Sequence, residues 1–412
     1  MYYGHIINAK GDIIDEVTMV EMPAGKSYTG QAQAEIFCHG GQYILKQILQ
    51  EIYSLGARPA EPGEFTRQAF LTGRIDLARA EAVAEMINSK TEYSYRAARN
   101  NLIGEFSQQI DSLRDKAILL LAEIEASIDY PEENLETAEK NRQLELTENI
   151  IKELDSLIES YRSGKIIKEG FRIAIAGRPN AGKSSLFNLM LNQNRAIVAP
   201  SPGTTRDYLT EWIELDGLAV SITDTAGLRK SKSTVEIRGQ AFSEKLMGES
   251  DLIIWIADIS EKNWRRKLDH DLKLLEKYRN IQIIFNKIDL IDKISHKKLI
   301  ENSYVEAKQP LFISCKTKIG LKSLKKALTS QINKAMPDLT DCLIVTSERQ
   351  KKKLADSLKL FRSVDRGIRN DISPELIAFD LRQAIGAIDE ITGRVYTEEI
   401  LDKIFSQFCI GK

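Results

Sequence analysis

The sequence predicts an α/β domain of the phosphate-loop type set inside an α-helical domain, with a small α+β unit ahead of both. Three observations predict it. A Gly-x-x-x-x-Gly-Lys-Ser loop, Gly177 to Ser184, directly follows the apolar strand Phe171–Ala176. Two further strand-end motifs, Asp224-Thr225-Ala226-Gly227 and Asn286-Lys287-Ile288-Asp289, come after it in the order such a loop requires. Helical periodicity flanks the whole region on both sides.

Taken in order, residues 1–72 read as the α+β unit. Strands are expected at Gly4–Ile7, Val17–Met22 and Ala34–Cys38, a turn at Gly11-Asp12, and a helix through Ile44, Leu45, Ile48, Leu49 and Ile52. Residues 73–165 read as helical: Phe106, Ile110, Leu113, Ala117, Leu120, Leu121 and Ile124 recur at helical spacing. After Pro131 the stripe resumes as Ile151, Leu154, Ile158 and Tyr161. Residues 166–336 alternate strands and helices, the pattern of a parallel sheet. Residues 337–412 return to helices, with Ser347-Glu348-Arg349-Gln350 expected as a capping box, Ser373-Pro374 opening a helix and Gly393 closing it.

The chemistry lies in the middle region. Glycines let backbone N–H groups close around a phosphate, Lys183 can reach the β and γ phosphates, and Ser184 can ligate Mg²⁺. Asp224 ends a strand where it can hold the Mg²⁺ shell through water, and the Gly227 N–H can meet a γ-phosphate. Thr205, in Gly203-Thr204-Thr205, supplies the threonine that closes the Mg²⁺ shell. Asp289 can accept from both N1–H and the exocyclic amine of guanine, a pattern adenine does not offer, so the base is guanine. Strand Pro310–Ile313 delivers Ser314-Cys315-Lys316 to back that base. The fold class is therefore an α/β P-loop GTPase domain inserted into an α-helical domain, preceded by a small α+β domain.

Composition bounds the alternatives. A chain of 412 residues holds two or three domains, and a net charge of −1 gives no broad basic face for nucleic-acid affinity by counterion release. Cys38, Cys315, Cys342 and Cys409 are isolated, which argues against a zinc site or disulfide framework. No apolar run is long enough to span a bilayer, so a cytoplasmic chain without a membrane partner is expected. The basic clusters Lys351-Lys352-Lys353, Arg265-Arg266-Lys267 and Lys316-Thr317-Lys318 are expected to be solvated faces, and His39 beside Gly40-Gly41 a packed loop histidine.

The chain closely resembles one family, MnmE (also called TrmE), the GTPases of tRNA wobble-uridine modification. The resemblance is carried by Gly177–Ser185 with Pro179-Asn180-Ala181, Gly203–Asp207, Asp224–Arg229 followed by Val235-Glu236, and the closing Phe408-Cys409-Ile410-Gly411-Lys412. Gly63–Leu71 and Asp76–Ala82 extend it outside the central domain. It implies a homodimer joined by the N-terminal unit, a heterotetramer with the flavoprotein MnmG, tRNA as substrate, and a carboxymethylaminomethyl-type group added at C5 of the wobble uridine. The best alternative is a ribosome-assembly GTPase of the same switch type, whose RNA-binding appendage the sequence lacks.

The resemblance also assigns residues. GTP would be held by Asn180, Ala181, Gly182, Lys183, Ser184 and Ser185, by Ala199, Pro200, Ser201, Pro202, Gly203, Thr204 and Thr205, by Asp224, Thr225, Ala226 and Gly227, and by Asn286, Lys287, Asp289, Ser314, Cys315 and Lys316. Leu228-Arg229 stand where a Ras-like chain carries its glutamine, so Glu236 is implied to orient the attacking water. With no arginine finger evident, Asn180 offers a side-chain carbonyl for a monovalent cation. The family places K⁺ there, shared with the carbonyls of Ala199 and Ser201 and with Thr204; Pro200 and Pro202 depart from the family pattern and stiffen that loop. Cys409 is implied to lie near the modification site. Glu35, Arg74 and Lys412 are implied to bind a 5-formyl- or methylene-tetrahydrofolate. Family members carry several dozen residues before the Tyr3-Gly4-His5 region, so the N-terminus reads as short and weak folate binding is expected.

Overall fold

A computed structural model describes residues 1–129, 137–193, 195–196, 210–224, 244–278, 280–291, 309–336, 343–409 and 411. The chain divides into two compact units. One comprises Met1–Ile87, Ala98–Glu159 and Ser347–Lys412; the other comprises Asn88–Ala97 and Ser160–Thr346.

The first unit begins with a three-stranded antiparallel sheet, β1 (Tyr2–Ile7), β2 (Ile13–Met22) and β3 (Gln33–Phe37). The β1–β2 turn forms because the Asn8 side-chain oxygen accepts from the backbone N–H groups of Lys10 and Asp12, both at 2.9 Å, while Gly11 takes φ +89°. Helices α1 (Gln42–Ser54), α2 (Glu64–Leu71) and α3 (Leu77–Asn88) follow. Phe70, Leu77 and Ala80 pack with Leu401, Phe405 and Phe408, which belong to or follow the C-terminal helix. That closure needs Gly63, at φ +69°, because a Cβ there would lie 2.8 Å from the Phe405 carbonyl.

Helix α4 spans Glu92–Ile103, α5 Glu105–Asp129 and α6 Thr137–Glu169. Along α5 the stripe Phe106, Ile110, Leu113, Ala117, Leu120 and Ile124 is buried, as its spacing requires. On α6 the buried positions are Ile150, Leu154 and Leu157, so of the expected stripe Ile151, Leu154, Ile158 and Tyr161 only Leu154 is buried and the other three are half-buried. Both registers are apolar at spacings of three and four, and packing selected the other one. Pro131 lies outside the described residues.

The second unit holds a seven-stranded sheet in the order β10-β9-β8-β4-β7-β6-β5. Its strands are β4 (Phe171–Gly177), β5 (Arg195–Ala196), β6 (Thr210–Leu215), β7 (Leu218–Asp224), β8 (Leu252–Asp258), β9 (Ile281–Asn286) and β10 (Leu311–Phe312). Helices α7 (Lys183–Gln193), α8 (Trp264–Leu275) and α9 (Leu321–Ala335) accompany it. Strands β10, β9, β8, β4 and β7 pair in parallel, but β6 and β5 run antiparallel, so the expected parallel sheet is mixed. The tight Asp216-Gly217 connection, both residues at positive φ, forces β6 and β7 into a hairpin. Strand β4 is central, with Phe171, Ile173, Ala174 and Ile175 buried on both faces.

Beyond the second unit come α10 (Glu348–Arg369), α11 (Pro374–Thr392) and α12 (Glu398–Phe405). Pro374 opens α11 and Gly393 closes it at φ +78°. The expected capping box on α10 does not form. Ser347 Oγ and Gln350 Nε2 turn to the Glu81 carboxylate, at 3.2 and 2.7 Å. Arg349 also pairs with Glu81, so the Ser347 hydroxyl and the Gln350 amide donate to a half-buried carboxylate and do not cap the helix's first N–H groups.

Candidate active site

Strand β4 delivers the loop at Gly177, whose φ is +147° and whose absent Cβ leaves room for the Ile256 carbonyl, 2.3 Å from where that atom would stand. Asn180 takes a left-handed conformation and Gly182 sits at φ +106°. These conformations curl the chain into the first turn of α7. Lys183, nearly buried, donates to the carbonyls of Gly177 at 3.0 Å and Arg178 at 2.7 Å. Its ammonium therefore lies over the loop mouth.

The parallel pairing of β4 with β7 sets Ile175 opposite Asp224. Ser184 Oγ, at the start of α7, then donates to Asp224 Oδ2 at 2.7 Å. A hydroxyl and a buried carboxylate in contact form a hard-oxygen donor set that fits Mg²⁺. Ser185 beside it is exposed.

The base side is built by Asn286 at the end of β9. Its Nδ2 donates to the Ala181 carbonyl at 2.9 Å, and its Oδ1 accepts from the Cys315 N–H at 3.1 Å. One buried amide thus ties the phosphate loop to the segment after β10. Ser314 Oγ donates to Asp289 Oδ1 at 2.6 Å and accepts from Thr317 N–H at 3.0 Å, which aims an exposed carboxylate from a fixed loop. Lys316 is exposed. Burial pushes the Cys315 thiol up to about 11; Asp289 nearby adds to this and Asn286 opposes it.

Lys287 also takes a left-handed conformation, and its ammonium pairs with Asp258. Asp258 ends β8 in register with Asn286. Burial pushes its carboxyl up, yet the Lys287 ammonium and the N–H and O–H of Ser260 outweigh that and hold it below the usual carboxylate range.

Two family models cover the chain between them: one described as the MnmE helical domain matches residues 77–409, and one described as the GTP-binding protein TrmE N-terminus matches residues 1–74. The chain belongs to the MnmE family. Among its relatives, the tRNA modification GTPase MnmE of Thermoanaerobacter sp. (strain X514) is 39% identical over 415 residues, covering 100% of this chain and 89% of its own length. That of Aquifex aeolicus (strain VF5) is 37% identical over 419 residues, covering 100% and 90%. Among solved structures, the G domain of the T. maritima FeoB iron transporter covers 40% of this chain and 98% of its own at 26% identity, with a TM-score of 0.27. So low a score carries no argument about the fold.

Several residues singled out in the sequence fall outside the described residues of this MnmE family member. They are Ala199, Pro200, Ser201, Pro202, Gly203, Thr204, Thr205, Thr225, Ala226, Gly227, Glu236 and Lys412. Glu35 lies exposed on β3 and accepts from Gln33 Nε2, whereas Arg74 donates to the Gly25 carbonyl at 3.2 Å, so the two are held by different partners. Cys409 is exposed, and its carbonyl accepts from Gly63 N–H at 3.5 Å. His39 is not the packed loop residue expected: its ring is exposed, and its Nδ1 and its N–H both meet Asp15, each at 2.8 Å, so polar contacts hold it.

Two contributors to the site escaped sequence reasoning. Asp258 carried a weak signal, as the residue closing an apolar strand two positions before a serine. The pairing of Arg178 with Asp271 carried none, because nothing in the pattern links those positions.

Proposed function

We propose that this chain hydrolyses GTP in the service of tRNA modification. The observation that carries the reading is the Asn286 amide, which joins the Lys183 loop to the segment bearing Asp289 and Ser314. A loop for phosphates and a carboxylate for the N1–H and amine of guanine are thereby set in one frame. Lys183 exchanges its carbonyl partners for phosphate oxygens, and Ser184, Thr205 and Asp224 would hold Mg²⁺. Bound Mg²⁺ supplies charge neutralisation for the phosphates. Asn180, Ala199, Ser201 and Thr204 would hold K⁺, which would supply positive charge at the phosphates. Glu236 orients the attacking water.

Around that centre, residues 1–72 form the dimerising and tetrahydrofolate-binding domain, with Glu35, Arg74 and Lys412 toward the folate. Residues 73–165 and 337–412 form the helical domain, and residues 166–336 the GTPase domain. The homodimer joins MnmG in a heterotetramer in the cytoplasm, and together they add a carboxymethylaminomethyl-type group at C5 of the wobble uridine, with Cys409 near the reacting base. Support comes from family membership, with one relative 39% identical over the full chain.

The test has two arms. Phosphate release from GTP is measured in KCl and in NaCl at equal ionic strength, with markedly faster release expected in KCl; equal rates remove K⁺ from the reading. Wobble nucleosides of tRNA incubated with the chain, the flavoprotein, GTP and folate are then analysed by mass spectrometry. A modified uridine that needs both proteins is expected, and its absence with both present refutes the modification role.

A further inference from the structure

Arg178 occupies the second position of the phosphate loop, which the Gly-x-x-x-x-Gly-Lys-Ser pattern leaves open. Its guanidinium does not face solvent freely. Nε donates to both Asp271 carboxylate oxygens at 3.0 Å, and Nη2 donates to Oδ1 at 2.7 Å and to the Lys267 carbonyl at 3.3 Å. Asp271 and Lys267 both belong to α8, an element outside the loop. The Asp271 side chain is only 7% exposed, and Arg178 is its close partner, with His270 Nδ1 3.8 Å from Oδ1. The Arg178 carbonyl in turn accepts from the Lys183 ammonium at 2.7 Å. A continuous chain of bonds therefore runs from α8 through Arg178 to the lysine that meets phosphate.

We propose that Asp271 is a positioning residue: through Arg178 it holds the phosphate loop in its ligand-ready shape and thereby sets nucleotide affinity. The loop carries three positive-φ positions, Gly177, Asn180 and Gly182, within six residues. A chain free to leave that shape must be reordered at each binding event, and the entropy lost weakens binding. A loop braced at Arg178 is ordered beforehand. The inference rests on the reading of this loop as a GTP site.

The test pairs Asp271→Asn with Arg178→Lys and their double variant. Asparagine keeps the volume of Asp271 and loses the charge; lysine keeps the charge of Arg178 and loses the fork that engages two oxygens. Dissociation constants are measured by titration with a fluorescent GDP, alongside kcat at saturating GTP and thermal unfolding without nucleotide. Each single variant is expected to weaken GDP binding by about tenfold, as for one lost charge-assisted contact. The double variant is expected to be no weaker than the poorer single, and kcat to stay within about twofold. Should Asp271→Asn fail to fold, Asp271→Glu, which keeps the charge and shifts the carboxylate, carries the same comparison. An Asp271 variant that melts lower yet binds GDP normally reduces the pair to a structural tie and overturns the proposal, as do additive losses in the double variant. Binding of GDP against ADP by the unaltered protein tests the underlying GTP-site reading on its own, so the two failures are distinguishable.

Discussion

Replacing Gly182 by alanine should strike both halves of the site at once. The added Cβ would stand 2.2 Å from Asn286 Nδ2, a distance no side chain tolerates, and Gly182 itself sits at φ +106°. Asn286 must move, and its two bonds, to the Ala181 carbonyl and from the Cys315 N–H, break together. Forcing an alanine into that backbone region costs about 1–3 kcal/mol. Two buried hydrogen bonds add about 1 kcal/mol each, so the loss is roughly 3–5 kcal/mol. For a unit of this size that lowers the melting temperature by roughly 6–20 °C. Gly386→Ala is the matched control. It lies inside α11 with nothing within 4 Å of the added atom and no positive φ, and it should stabilise by about 0.5–1 kcal/mol. Thermal denaturation of both variants, with nucleotide titration of the first, decides the matter. A Gly182→Ala protein that melts and binds GTP like the unaltered chain refutes the idea that Asn286 couples the two loops.

Thiol labelling followed by mass spectrometry should find Cys409 modified quickly and Cys315 slowly, since only the first is exposed. With its thiol pushed up to about 11, Cys315 stays protonated through mildly alkaline pH and gains reactivity only as that value is approached; rapid labelling near neutrality contradicts its burial. Asp258→Asn should raise the KM for GTP roughly tenfold with kcat little changed, because Lys287 loses the carboxylate that holds it. The Asp258 carboxyl is held below its ordinary 3.8, so the pair contributes above that pH and is lost as pH falls beneath it; an unaltered KM in the variant would leave Lys287 positioned by something else. Glu236→Ala should keep GTP affinity while kcat falls roughly 10²- to 10⁴-fold, and near-normal turnover would remove Glu236 from the water-orienting role.

What the sequence disclosed and what it hid divide along one physical line. Motifs that depend on backbone shape were legible where glycine and asparagine mark positive φ, as in the loop from Gly177 to Lys183, and where an apolar run marks the strand that ends at Asn286; the positive φ of Lys287 in the turn that follows carried no such mark. Features settled by competition between partners were not. Ser347 has the neighbours of a capping residue, but its hydroxyl donates to Glu81, far away in sequence, and does not cap the helix. Ile151 and Ile150 are equally apolar, and only the packing partner chooses between them. Asp271 looks like any acidic residue on an amphipathic helix until Arg178 is found across it.

The partners of the site residues bear on how binding works. Lys183 is engaged with two carbonyls, Ser184 with Asp224, Asp289 with Ser314 and Lys287 with Asp258. These four groups thus start from protein partners, not from bulk water. Where binding exchanges one bond for another, the net gain per bond is modest, about 1 kcal/mol. Affinity must then depend on contacts that binding adds without breaking others, chiefly loop N–H groups turned toward phosphate and the charge of the ligand itself. Those contacts exist only while the loop keeps its curl. Stiffness at Gly182, Asn286 and Arg178 therefore governs affinity as directly as the groups that touch the ligand, and variants at all three should weaken every guanine nucleotide together.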